Sequence, residues 1–163
     1  MAVDLTADEG AQPWLNSVGD VAGLADQCLI ALEKSDHELS ILLTDDRHIR
    51  DLNREYRHKD EPTDVLSFGQ MEGDVFVSPI PMLGDLVISL ETAARQAAEM
   101  GHPLEAEIRI LLVHGVLHLL GHDHLDQEER QEMATAEEAL LRGLPSVPEW
   151  PTSSGLIARA GGT

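Results

Sequence analysis

Aromatic residues make up only 3 % of this 163-residue chain, and cysteine occurs once, at Cys28. The first scarcity leaves Leu, Val, Ile, Ala and Met to fill the core and offers no platform for stacking nucleic-acid bases. The second excludes an internal disulfide and any cysteine metal cage. Cys28 itself falls among apolar positions of a helical stretch and reads as a buried, inert thiol. No apolar run approaches the roughly 18 residues that suggest a membrane span, and the opening MAVDLTADEG is acidic where a secretory signal is basic. A cytoplasmic location without membrane association is the expectation.

Positive charge is also scarce. Eleven Lys and Arg stand against 30 Asp and Glu, a formal charge of −19, which excludes a general nucleic-acid coat protein held by phosphate contacts. The exception is local. Arg47, Arg50, Arg54, Arg57 and Lys59 crowd into one short stretch opposed by Asp51 and Glu55. Such an island can receive a phosphate, the more so beside a bound metal, or it can be an ordinary solvated helix face.

What is present reads as one domain over residues 1–144 followed by a loose, Pro-containing tail over 145–163. Residues 16–33 carry apolar side chains at helical spacing, with Asn16 placed to cap the start. ELSILLT (38–44) is a buried strand, and Asp45 and Asp46 lead into a helix bearing Ile49, Leu52 and Asn53. A polar loop around Pro62 enters a short strand at Val65. The connection 69–83 has room for a strand at DVFV, and GDLVIS (84–89) is a further strand. Ser89 caps an alanine-rich helix that Gly101 closes. A long helix then runs from Pro103 to Gly121, and another starts at Asp123. Strands and helices in this order predict an α/β (mixed α+β) fold, a small mixed β-sheet flanked by helices.

The densest signal is HGVLHLLGHDH at 114–124. His114 and His118 lie four apart on the long helix, so one helix face aims both imidazoles at a common point. Gly121 lets the chain leave the helix and turn His124 back toward that point. Three neutral imidazoles suit one Zn²⁺ ion with a fourth position open, the pattern of a catalytic site. The same spacing occurs in metalloproteases built on H-E-x-x-H, but here the residue after the first histidine is Gly115, so the proton-handling carboxylate is missing. Asp64 and Asp85 are distant candidates to replace it. His122 reads as a rim residue, and Asp123 either orients a ligand histidine or begins the next helix.

Two blocks, LNREYRHKDEPTDVLSF at 52–68 and HGVLHLLGHDH at 114–124, with the weaker GDLVIS at 84–89, make the chain similar to the YbeY family. These are metal-dependent, single-strand-specific endoribonucleases of bacterial rRNA maturation and ribosome quality control. The resemblance spans residues 38–141 and implies zinc at His114, His118 and His124, a catalytic or substrate-binding role for Arg57, and a mixed α/β fold. The family commonly has tyrosine where this chain has His122.

On that reading a metal polarises the phosphoryl group or activates water, while Arg57 neutralises charge growing on two phosphoryl oxygens. Arg54 and Lys59 are expected to bind the RNA backbone, although Lys59 can equally pair with Asp60 or Glu61. His58 is a loop residue, Phe68 belongs to the core, and Met133 packs the closing helix. Asp64 either supports Arg57 or holds its loop. Water and the 2′-hydroxyl both remain possible nucleophiles. A body this acidic calls for a ribosomal particle or ribosomal protein to help deliver single-stranded RNA, with no role for DNA. The alternatives are a zinc hydrolase of another substrate, such as a protease, and a non-enzymatic ribosome-associated factor.

Overall fold

A computed structural model describes residues 3–69 and 82–144. Four strands form one mixed sheet in the order β1 (Val3–Ala7), β2 (Glu38–Thr44), β4 (Met82–Ser89), β3 (Val65–Gly69). β1, β2 and β4 run parallel, and β3 lies antiparallel along β4. The period of two in β2 and β4 sorts their side chains between the faces. Leu39, Ile41, Leu43, Leu86 and Ile88 point into the main core, whereas Val87 joins Leu66 and Ile49 in a smaller cluster on the other face.

The smaller cluster is the seat of α2 (Asp46–Arg57), whose start is capped by Asp45 accepting from His48 N at 3.0 Å. The larger core receives α1 (Val21–Ala31), α3 (Leu90–Met100), α4 (Leu104–Leu119) and α5 (Gln127–Gly143). Every residue of α4 from Ala106 to Leu117 is buried, because this helix packs on α1, α3, α5, β3 and β4 at once. A helix enclosed on all sides has little need of an amphipathic pattern, and its position is set by its neighbours. Cys28 is fully buried, and burial pushes its thiol up to about 12 against the nearby Arg109 charge. It is inert at neutral pH.

The expected mixed α/β class is the observed one, with differences at the edges. β1 is absent from the sequence reading, since its short acidic strand exposes three of five residues and pairs only along β2. The helix expected from residue 16 divides. Asn16 lies inside a 3₁₀ helix, Glu9–Ser17, and α1 starts at Val21 under an Asp20 cap. Asp20 accepts from Gly23 N at 3.0 Å, which Asn16 is too far upstream to do. The last helix starts at Gln127 rather than at Asp123, because Asp126 supplies its cap. Ser89 and Gly101 do begin and end α3. The DVFV stretch and the tail 145–163 lie outside the described residues.

Candidate functional site

α4 holds the first two histidines where the core leaves least freedom. His114 is buried, and its ring centroid lies 4.7 Å from that of His118 and 5.6 Å from that of His124. The helix ends at Leu119, Gly121 takes a φ of +100°, and the chain reverses. A side chain would be strained at that dihedral. The reversal brings His124 within 5.2 Å of His118, centroid to centroid. One ring nitrogen from each histidine lies within 4.8 Å of the other two, and among the described residues this is the one such convergence of His, Cys, Asp or Glu.

The donor set fits a metal for two further reasons. His114 Nδ1 is 3.1 Å from Oε2 of Glu137, a carboxylate with no exposed surface. A carboxylate that accepts Nδ1–H fixes the ring so that Nε2 faces the site, the usual support of a metal-bound histidine. Burial, with help from His114 and His124, also pushes the His118 imidazole down to about 4. It therefore stands neutral near pH 7, which is the form that ligates.

The glycine at 115 has a structural cause. A Cβ built there would lie 2.8 Å from Leu86 Cδ2 and 3.4 Å from Ser67 Oγ. Residue 115 thus faces the sheet at a point where α4 comes close to β4. A side chain there would have to displace the end of Leu86. Asp85 is also excluded as its replacement, because it points from β4 to the face opposite Leu86 and lies outside the cleft. Asp64 does line the cleft. Its Oδ1 accepts from Val65 N at 2.7 Å, and its carbonyl accepts from Ser89 N at 2.9 Å. It holds the loop.

A cleft of about 530 Å³ opens over the histidines and is lined by Arg57, Thr63, Asp64, Val65, Leu66, Ser67, the three histidines and Arg130. Arg57 reaches it from the last turn of α2. Its NH2 donates to Ser67 O at 2.6 Å, and its guanidinium lies 4.9 Å from the Phe68 ring centre. The same Ser67 donates through Oγ to Gly115 O at 3.3 Å. One β3 residue therefore ties Arg57 and the ligand helix together. Buried Asn53, one turn before Arg57, ties α2 to the loop that follows by donating from Nδ2 to Glu61 O at 2.9 Å, while its carbonyl accepts from Lys59 N at 3.3 Å.

The other candidates are not brought into the cleft. Arg54 pairs with Asp51 at 3.1 Å and with Asp60 at 3.6 Å. Lys59 is exposed and outside the cleft lining, and Asp60 is engaged by Arg50 at 2.8 Å. His58 closes α2 in a left-handed conformation, φ +61°. Phe68 is half-buried against the smaller cluster, and Met133 is fully buried in the main core. His122 faces a separate depression beside Glu129 and Glu132. Asp123 accepts from His124 N at 2.8 Å, so it shapes the turn and neither begins α5 nor grips a ligand imidazole.

Two residues escaped the sequence reading. Glu137 interrupts the buried stripe Met133, Leu140, Leu141 of α5, and an acid on an apolar helical stripe is itself a signal of a buried partner. Arg130 is the lone cation among the acids that open α5.

A mixed α/β domain that converges three imidazoles beneath an open cleft defines a metal-binding protein of the hydrolytic kind, since a purely structural site is closed by a fourth ligand. Comparison with known proteins places it more narrowly. Residues 5–145 match the family described as Endoribonuclease YbeY, and the chain belongs to that family. It is 50 % identical over 137 residues to the endoribonuclease YbeY of Heliobacterium modesticaldum, covering 78 % of this chain and 82 % of the relative. The protein of the same name from Desulfitobacterium hafniense is 39 % identical over 151 residues, covering 86 % and 96 %. The solution structure of TM1509 from Thermotoga maritima shares the fold, with a TM-score of 0.52 at 24 % identity over 86 % of this chain and 89 % of that one. Among the described residues no helix is long and apolar enough to cross a membrane.

Proposed function

We propose that this chain is a metal-dependent endoribonuclease that cleaves single-stranded RNA in rRNA maturation and ribosome quality control. The observation that carries the reading is Ser67, which joins Arg57 and the three-histidine helix to one strand at the floor of one cleft. His114, His118 and His124 would hold one Zn²⁺, the ion that an all-imidazole set with an open position suits best. When bound, the ion supplies a Lewis acid for the phosphoryl group.

The chain's own residues do the rest. Glu137 keeps the His114 ring oriented. Arg57, held by Ser67 O beside the Phe68 face, brings its positive charge to a phosphate in the cleft, where charge develops during cleavage. Arg54 and Lys59 lie outside the cleft on the same end of α2, where an incoming strand would pass them. Exposed pairs such as Arg54–Asp51 contribute about 0–1 kcal/mol and so exchange easily for a phosphate.

Residues 1–144 form the catalytic unit, and the chemistry does not need 145–163. The relatives' name, endoribonuclease, supports the reaction class. The net charge of −19 supports a partner, a ribosomal particle or ribosomal protein, that helps to deliver the RNA. Gly115 speaks against a protease, because it stands where such an enzyme has its proton-handling glutamate.

The test is cleavage of end-labelled single-stranded RNA by zinc-loaded protein beside Arg57→Ala at equal metal content. Loss of one transition-state donor is expected to lower the rate about 10²–10³-fold with metal and fold retained. Equal rates would remove Arg57 from the mechanism, and silence from both would move the trial to a ribosomal particle.

A further inference from the structure

The cleft has a second arginine that the reading above leaves idle. Arg130 comes from α5, whereas Arg57 comes from α2 past β3. α4 packs against β3 and also against α5, so its two histidines lie between the walls that carry the two arginines.

Helix stability does not explain Arg130. It is the fourth residue of α5, where a cation gains nothing from the positive helix amino-terminus. Its natural partner at i−4 is Asp126, but Asp126 Oδ1 is occupied as the cap, accepting from Glu129 N at 2.8 Å. Glu128, Glu129 and Glu132 lie nearby in sequence, yet among the described residues no hydrogen bond or ion pair engages the Arg130 side chain. The other arginine of α5 behaves differently, since Arg142 leans back to Glu138 at 3.9 Å. In a chain with 30 acidic residues, this exposed arginine lines the cleft and pairs with none of the acids beside it in sequence.

We propose that Arg130 is a substrate-binding residue that holds an RNA backbone phosphate adjacent to the scissile one. The strand would cross α4 with one phosphate over the histidines and Arg57, and its neighbour against α5. A guanidinium is suited to this task because its planar fork donates two parallel hydrogen bonds to phosphate oxygens. The contact carries no base information, so it positions the strand without selecting sequence. It also offsets, at the place where it matters, the repulsion between RNA and the acids that surround it on α5. The inference rests on the ribonuclease reading and names how that site grips its substrate.

The experiment measures fluorescence anisotropy of a labelled single-stranded oligouridylate over a range of salt, with metal-loaded unmodified chain, Arg130→Ala and Arg130→Lys at equal metal content. Cleavage kinetics on the same RNA run in parallel. Arg130→Ala is expected to weaken binding roughly three- to tenfold and to reduce the slope of log K against log salt by about 0.7, the value for one phosphate contact on a single strand. Most of the loss should fall on KM rather than kcat, and Arg130→Lys should restore most of the affinity. An unchanged dissociation constant and salt slope in Arg130→Ala, with the unmodified chain still cleaving, would overturn this inference and leave the ribonuclease reading intact. An unmodified chain that neither binds nor cleaves RNA, as free oligouridylate or within a ribosomal particle, would overturn both.

Discussion

The two walls of the cleft are held in different ways. On the α4 side the anchoring groups are core residues: His114 is 6 % exposed, Glu137 behind it has no exposed surface, and His118 and His124 are half-buried above them. On the α2 side Arg57 ends a helix whose outer face is in solvent, and its place comes from a few hydrogen bonds to the loop and strand that follow. The contrast fits the chemistry proposed for the site. Metal ligands must converge within a fraction of an ångström and stay neutral, which close packing and desolvation provide. A phosphate-binding cation must keep its charge and meet a large mobile substrate, which requires water access. Each wall is thus as rigid as its ligand demands, and Ser67 is the joint between them.

Removing the rigid wall's support should give the largest change. Glu137→Gln keeps the shape but loses the charge that holds the His114 ring, and it should weaken metal affinity about 10–100-fold. Competition against a chromophoric chelator reads this directly. An unchanged affinity would mean that packing alone orients His114.

A smaller effect is expected where α4 meets the sheet. Gly115→Ala places a methyl group 2.8 Å from Leu86 Cδ2, and overpacking of this kind costs about 1–3 kcal/mol, against up to about 1 kcal/mol gained in helix propensity. Thermal unfolding should show a net loss, together with weaker metal binding because the ligand helix is displaced. A more stable protein with full metal affinity would show that Leu86 can yield and that the close approach is not required.

The smallest effect belongs to the base of the other wall. Asp46 opens α2, and although burial opposes its charge, hydrogen bonds from Ser89 and Thr92 and the Arg95 guanidinium hold its carboxyl below the usual range. A carboxylate depressed in the native state stabilises fully above its unfolded value and loses that contribution as pH falls through the native one. Melting temperature should therefore drop from about pH 4 downward, and Asp46→Asn should make that acid limb shallower while lowering stability at pH 7. Parallel acid limbs in the two proteins would assign the pH dependence to other carboxylates.

Parts of both walls were legible in the amino-acid order because their signals are local. The helix start at Asp45 and Asp46, the Ser89 cap, the buried strand 38–44 and the histidines spaced around Gly121 each rest on contacts within a few residues. β1 was not legible, since a five-residue acidic strand becomes one only when β2 offers it a ladder. The start of α1 was misplaced because a run of apolar positions reads through the 3₁₀ turn that separates two elements. Arg54 and Lys59 share their stretch with Arg57, and only the geometry of the α2 terminus separates the one in the cleft from the two outside it.

By itself the sequence determined the mixed α/β class, the three converging imidazoles and the identity of the arginine block, because helical and strand periods place neighbours in sequence on one face. The tertiary structure alone decided what lies across the gaps between elements. It put Glu137 behind His114, Ser67 between two walls, Leu86 against Gly115 and Arg130 over the cleft. The contacts among them join residues ten or more positions apart along the chain, and no local period encodes them. They exist because α4, enclosed on every side, could be buried only by bringing α5, β3 and β4 to it.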